Sequence, residues 1–462
     1  MPNSFAYMML LVWPFVVALL FRQLPLQKAL IWSILGGYLL LPMKTVVDFP
    51  LIPALDKTLI PSLATFAMCL ALTPRSAPGM TPRPGWLPEH PLARALTLVF
   101  MISPFMTSIL NSAPTYAGGR FLPGLTLYDA AAFASSQAVL LLPFLMGRRY
   151  LADPQAHRLL LTSFLIAGLA YSVPILIEVR LSPQLHTWVY GFFPHSFVQQ
   201  IRFGGFRPVV FLQHGLHVAM FVAMALLAAL ALLRIEQGQR RQQILLVVGW
   251  ITLMLVLCKT VVAIALAVAM APLIYLAKPH MMKTALTGIA IIVLAFPILR
   301  GLDLVPTEAL TDAAASISED RAASLQFRFD NEYILLERAN ERPFFGWGGW
   351  GRNRVYDESG RDVSVTDGTW VIVIGTYGWV GYLAEFGLLT LGLVLLMGNA
   401  RATPPPFVTA ALAAVLAVNL LNLLPNSTLW PITWLMAGAV LGYSEIYNSR
   451  FQNTKHLIFQ KN

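Results

Sequence analysis

The chain has 462 residues, of which 57% are hydrophobic and only 12% charged, with a formal net charge of +10. A mean hydropathy of +0.66 and a charged fraction about half of the roughly 25% usual in soluble domains exclude a soluble enzyme, and the long apolar runs exclude the alternating ~10-residue segments of a transmembrane β-barrel. The positive charge lies in short connections between apolar runs, where membrane insertion selects for it, so it predicts membrane lipids or an anionic lipid-linked substrate as counterion and no nucleic acid.

Thirteen apolar stretches predict membrane spans, at 5–21, 28–43, 57–73, 94–111, 127–146, 158–178, 208–233, 244–257, 260–277, 282–299, 370–397, 406–424 and 428–446. Each approaches the ~20 residues that a helix needs to cross a ~30 Å hydrocarbon core. The first lacks a basic n-region and a small-residue cleavage site, so it reads as a retained helix. Cys69 and Cys258 fall in apolar segments and form no disulfide or metal spacing. The run 244–276 is too long for one span, and a lysine at its centre would be costly. A hairpin that brings Lys259 to the interface resolves both difficulties. Basic residues occupy every other connection: Arg22 and Lys28, then Arg75, Arg83 and Arg94, then Arg148, Arg149 and Arg158, then Arg234, Arg240 and Arg241, then Lys278 and Lys283, then Arg401, and last the tail with Arg450, Lys455 and Lys461. That set predicts the cytoplasmic side. The Arg120 loop, the segment 180–207, Lys259 and the N-terminus then lie outside. Residues 300–368 join them as a polar stretch of about 65 residues, long for a loop. The expected architecture is an all-α polytopic membrane protein of 12–13 transmembrane helices, one membrane domain over 1–462 with a large helical cap at 300–368.

Three outer elements carry residue types suited to chemistry. Segment 180–215 holds Arg180, Arg202 and Arg207, with Gly204, Gly205 and, about two turns into the expected following helix, His214. Its arginines either snorkel to lipid headgroups or clamp an anion, because a guanidinium grips phosphate oxygens in a fork. His214 and His217 read first as packing residues. The second element, 328–351, places apolar Phe329, Tyr333 and Leu336 at helical spacing, an amphipathic cap helix that Pro343 ends. Arg321 precedes it. The turn after it matches G-x-G-x-x-G at Gly346, Gly348 and Gly351, but no strand and no βαβ unit frame a dinucleotide site there. Asp357, Glu358, Asp362 and Asp367 match no metal spacing. In the third element, Asp367 stands where a membrane helix begins. It either caps that helix or accepts a proton as a base.

In this order and spacing the elements make a pattern. Arg202, Phe203, Gly204 and Gly205 form an Arg-x-x-Gly sequence. Arg328 stands fifteen residues before Pro343, which opens a Pro-x-x-Gly-x-Gly turn through Gly346 and Gly348. Asp367 and Gly368 are followed, after nine residues, by Gly378 and then Gly381. In these motifs the chain, from about residue 160 to 400, resembles the bacterial O-antigen ligase and polymerase superfamily, membrane glycosyltransferases of the GT-C type that act on undecaprenyl-pyrophosphate-linked glycans. It departs where the ligases carry a histidine base, which is Asp367 here, and where a Ser-Arg-Gly turn is replaced by Lys259, Thr260 and Val261.

The resemblance implies a polymerase that joins lipid-linked oligosaccharide repeat units on the outer face of the bacterial inner membrane, without cofactor or metal, beside chain-length-regulating or export proteins. It implies that Arg202, Arg207, Arg328 and Lys259 hold the pyrophosphate, with His214, Arg180 and Arg321 as further candidates, and that Asp367 handles the proton. A ligase that moves glycan to a lipid or protein acceptor is the nearest alternative. A flippase is the alternative of another class, with Glu385 as its one acidic candidate inside a span.

Overall fold

A computed structural model describes residues 1–49, 52–72, 84–202, 204–316, 318–396 and 404–459. Arg75, Arg83, Phe203, Arg401 and Lys461 lie outside the described residues, as do the side chains of Arg450 and Lys455. The chain is an all-α polytopic membrane protein. In order, the helices are α1 (Ser4–Gln23), α2 (Leu26–Leu40), α3 (Leu59–Leu72), α4 (Pro91–Leu110), α5 (Leu127–Tyr150), α6 (Pro154–Leu181), α7 (Leu185–Tyr190), α8 (Gly215–Ile235), α9 (Gly238–Leu257), α10 (Val261–Tyr275), α11 (Pro279–Gly301), α12 (Thr307–Ala315), α13 (Glu319–Asn340), α14 (Thr369–Leu395), α15 (Phe407–Asn422) and α16 (Pro431–Phe459). Among the described residues three short antiparallel hairpins decorate the loops: β1 (Val47–Phe49) with β2 (Ile52–Leu55), β3 (Thr115–Ala117) with β4 (Arg120–Leu122), and β5 (Ile201–Arg202) with β6 (Gly205–Phe206).

Every sequence-predicted span coincides with a helix. Among the described residues eight helices are long and apolar enough to cross a membrane, and α2, α3, α10 and α15 are shorter apolar ones. At 1.5 Å per residue, α2, α10 and α15, of 15 to 16 residues, reach about 22–24 Å, short of a ~30 Å hydrocarbon core. Local sequence sets the boundaries. Thr126 and Asp129 form a reciprocal capping box at the start of α5, and Asp153 caps α6 ahead of Pro154. Lys259 takes a left-handed backbone conformation (φ 52°) and makes the expected α9–α10 hairpin turn. Helix α8 is buried almost all round and packs against α6, α9, α10 and α15, so it forms the centre of the bundle.

Contacts sort the connections onto two faces. On one, the Asn3 amide donates to the Tyr190 carbonyl (3.0 Å), Gly119 to Asp357 (2.9 Å), Lys259 Nζ to Arg202 (3.3 Å) and Lys57 Nζ to Phe211 (2.8 Å). On the other, Gln27 Nε2 donates to Tyr150 (2.9 Å), Arg148 pairs with Glu445 (2.6 Å), Arg158 pairs with Glu236, and Arg234 Nη1 donates to Ala277 (2.7 Å). The N-terminus, the Arg120 hairpin, segment 182–214, Lys259 and residues 302–368 thus share the cap face, while the described loop arginines of the basic set lie opposite.

Three expectations need correction. The span expected at 208–233 is helical only from Gly215. Residues 208–214 are unwound because buried groups satisfy their backbone in place of helical bonds: Glu178 accepts from the amides of Val209 (2.6 Å) and Val210 (2.7 Å), and Tyr171 from that of Phe211 (3.2 Å). Second, α13 does not bury Tyr333, which is 52% exposed; its inward stripe is Glu332, Leu335, Leu336 and Ala339. Third, α14 is interrupted at Gly378, whose φ is 67°.

Candidate functional site

The site begins with the unwound entry to α8. The β5–β6 hairpin displays Arg202 at the surface, and the Arg207 amide donates to the Gln200 carbonyl (2.8 Å), which turns the chain inward. Arg207 is partly buried and its Nε has no hydrogen-bond partner among the described residues. Burial, with Arg202, Arg321 and Arg328 around it, lowers its guanidinium to about 10. Those three arginines come from the hairpin and from α13. On α13, Arg321 and Arg328 are seven residues apart and share a helix face. Lys259 lies over the same hairpin: a Cβ on Gly205 would come within 2.2 Å of its Nζ. Arg202, Arg207, Arg321, Arg328 and Lys259 thus approach one another from three separate segments of the chain.

His214 is not two turns into a helix. It is the N-cap of α8, and its Nδ1 accepts from the Leu216 amide (3.1 Å). Burial comes first among the causes that push its imidazole down to about 2, followed by His217, Arg207, His195 and Arg328. A neutral ring whose Nδ1 is an acceptor carries its hydrogen on Nε2, so His214 can donate there while the Leu216 amide engages its Nδ1 lone pair. The ring of His195 packs edge-on against it with centroids 4.9 Å apart. Arg180 is exposed on the last turn of α6 and makes no ion pair among the described residues. The fold does not bring it into the cluster.

The acidic side of the site comes from the start of α14. The cap of that helix is Gly368, with no side-chain hydrogen bond, so Asp367 is not an N-cap. Its carboxylate turns to the Arg328 Nε at 3.4 Å, and the two side chains are 34% and 26% exposed. Arg328 Nη1 donates to the Pro425 carbonyl (3.2 Å) and to Asn426 Oδ1 (3.3 Å) in the turn between α15 and α16. Behind this pair Glu332 is buried against Arg300 (3.4 Å). Of the other cap acids, Asp357 pairs with Arg361 (2.9 Å) and Asp362 with Arg354 (3.4 Å), so arginines engage both.

The glycine-rich turn has a mechanical task. Gly346, Gly348 and Gly351 all have positive φ. The amides of Trp347 and Gly348 donate to the carbonyls of Gly375 and Thr376 (both 2.9 Å). In return Trp379 donates to Pro343 (2.7 Å) and Val380 to Phe344 (3.1 Å). The turn is thus sewn into the break at Gly378, which frees helix carbonyls and amides for these bonds. Trp347 is buried beneath the Arg338 guanidinium, 3.5 Å from its ring centroid, while Trp350 is 66% exposed. Arg352, fully buried, donates to the carbonyls of Trp347 (3.1 Å) and Pro123 (2.5 Å) and fastens the cap to the α4–α5 connection.

Sequence reasoning missed Asn422 and Asn426. The available signal was three amides, Asn419, Asn422 and Asn426, in the largely apolar stretch 406–424 and its turn, where polar groups need a reason to be. No protein-family model and no curated protein sequence matches the chain.

Proposed function

We propose that the protein is a membrane glycosyltransferase that polymerises undecaprenyl-pyrophosphate-linked oligosaccharide repeat units into an exopolysaccharide or O-antigen-type polysaccharide at the outer face of the bacterial inner membrane. The observation that carries this reading is the convergence of Arg202, Arg321 and Arg328 on the half-buried Arg207, with a carboxylate on Arg328. Guanidiniums repel one another, and an anion with several oxygens relieves that repulsion while filling their forks. A diphosphate at the membrane surface has the right charge, and its prenyl chain would lie in lipid beside the cap.

In this scheme an acceptor sugar hydroxyl attacks the anomeric carbon of the donor. The new carbon–oxygen bond forms as the bond to pyrophosphate breaks, and the bonding pair leaves on the pyrophosphate oxygen. The hydroxyl proton passes to the Asp367 carboxylate. Attack opposite the leaving group inverts the anomeric centre. Arg202, Arg207, Arg321 and Arg328, with Lys259 at the rim, neutralise the charge that develops on the leaving group. His214 offers a neutral N–H beside Arg207. The aspartate in the position of the ligase histidine favours polymerase over ligase.

Purified protein incubated with lipid-linked repeat units and resolved on a gel tests the reading. A ladder is expected. A single shift on a foreign acceptor would make the protein a ligase, and absence of turnover would favour transport. Arg328→Ala should cut polymer at least about 100-fold, the scale of losing a preorganised charge partner, with the protein still in the membrane and repeat units accumulating. Unchanged chain length in that variant would remove Arg328 from the chemistry.

A further inference from the structure

The guanidinium of Arg328 is held very differently along its edges. Its Nη1 edge faces a buried, continuous amide chain. Asn426 Nδ2 donates to Asn422 Oδ1 (2.9 Å), and Asn422 Nδ2 donates to Thr428 Oγ1 (2.7 Å). This chain fixes the amide orientation: with Nδ2 committed inward, Asn426 Oδ1 must face Arg328. Asn422, Asn426 and Thr428 are 4%, 4% and 2% exposed. The same turn is pinned to the start of α14, where Thr369 Oγ1 donates to the Asn426 carbonyl (2.9 Å) and the Thr369 amide to Leu423 (3.0 Å). Among the described residues the Nε edge meets only Asp367, at a distance longer than the ~2.7–2.9 Å of a strong charge-assisted bond and at the edge of water. Nη2 makes no protein hydrogen bond among the described residues.

We propose that Asn426 is a positioning residue for Arg328: it anchors the guanidinium by Nη1 so that the Nε edge can exchange the Asp367 carboxylate for a phosphate of the substrate. The proposal rests on the diphosphate reading above and adds an order of events to it. In the resting site Asp367 occupies the edge that the donor needs. When the donor arrives, Arg328 stays in place on Asn426, the phosphate takes the Nε edge, and the released carboxylate stands next to the reacting centre, able to receive the acceptor's proton. The surrounding Arg202, Arg207 and Arg321 favour the exchange, because a diphosphate offsets their mutual repulsion better than one carboxylate does. A fixed Nη1 anchor also limits the side-chain entropy lost on binding.

The test uses the full-length purified protein and farnesyl pyrophosphate as probe, with binding and repeat-unit turnover measured separately. Asp367→Asn should bind the probe about three- to tenfold more tightly than the native protein, since a competing anion has been removed, while turnover falls. Asn426→Ala should bind about tenfold more weakly, the size of losing a hydrogen bond to a charged group. The same loss should appear in the Asp367→Asn background. Probe affinity unchanged or weakened in Asp367→Asn overturns the exchange, and native affinity in Asn426→Ala overturns the anchor. Should Asn426→Ala not fold, Asn426→Ser takes its place, because it keeps a hydroxyl in the buried turn but is too short to reach Arg328 Nη1: about tenfold weaker probe binding is expected, and native affinity overturns the anchor. A folded native protein that does not bind the probe removes the diphosphate reading itself and this inference with it.

Discussion

Among the cap residues Glu332 shows how burial and pairing compete. Its carboxyl is 5% exposed and faces Arg300 at 3.4 Å, yet burial raises it from 4.5 to about 7 against the opposing pull of Arg300 and Arg328. A carboxyl raised on folding contributes stability that is fully present below its unfolded value and is lost as pH rises through its folded value. The stability of the cap should therefore decline between about pH 4.5 and pH 7 by on the order of 3 kcal/mol at most. Thermal unfolding in detergent across that range should show a falling midpoint, and Glu332→Gln should flatten it. A midpoint that rises in the native protein would mean that the Arg300 pair dominates instead. At this scale residue chemistry was legible in sequence and residue geometry was not. Arginine and aspartate announce charge anywhere, so Arg202, Arg207, Arg328 and Asp367 could be singled out. The choice between cap and ion pair for Asp367, and the tautomer of His214, depend on which neighbour the fold supplies.

At the scale of elements, the turn at 343–348 and the break in α14 are one structure. A Cβ on Gly378 would meet Phe344 backbone atoms at 2.3 Å, and one on Gly346 would meet Thr376 backbone at 2.5 Å, both at positive φ. Neither backbone can give way cheaply, so Gly378→Ala and Gly346→Ala should each cost about 3 kcal/mol. Because both substitutions break the same set of bonds, the double variant should cost little more than either alone. Detergent thermal unfolding of the three variants measures this, and additive losses would separate the two glycines. The sequence showed both glycine motifs and their spacing. It could not show that they interlock, because backbone pairing between segments about 30 residues apart leaves no periodicity in either. The entry to α8 failed for the converse reason. Residues 208–214 are apolar enough to read as helix, and the groups that unwind them, Glu178 and Tyr171, come from α6. Lys57, two residues ahead of α3, holds the same stretch by its donation to the Phe211 carbonyl.

For the whole molecule, the count of crossings decides whether the cationic cluster can reach the donor proposed for it at the outer face. The hydrophobic pattern made the all-α polytopic architecture legible without coordinates, since the length of its apolar runs is set by bilayer thickness rather than by packing, and the alternation of basic loops predicts the sides. Asn3 on Tyr190 and Gly119 on Asp357 put the N-terminus, the β3–β4 hairpin and the cap on one face, with the α8–α9 connection on the other. The buried Cys69 and Cys258 leave no exposed native thiol among the described residues, so single exposed cysteines report the sides directly. Ser4→Cys and Ser359→Cys should both react with a membrane-impermeant thiol reagent on intact cells whose outer membrane has been permeabilised, and Gln239→Cys only after lysis. Reaction of Gln239→Cys together with Ser359→Cys would break the alternation of faces. Ser4→Cys and Ser359→Cys reacting together, but only after lysis, would keep the alternation and turn the whole molecule over. The arginine cluster would then face the cytoplasm, where the outer-leaflet donor of the proposed function could not reach it.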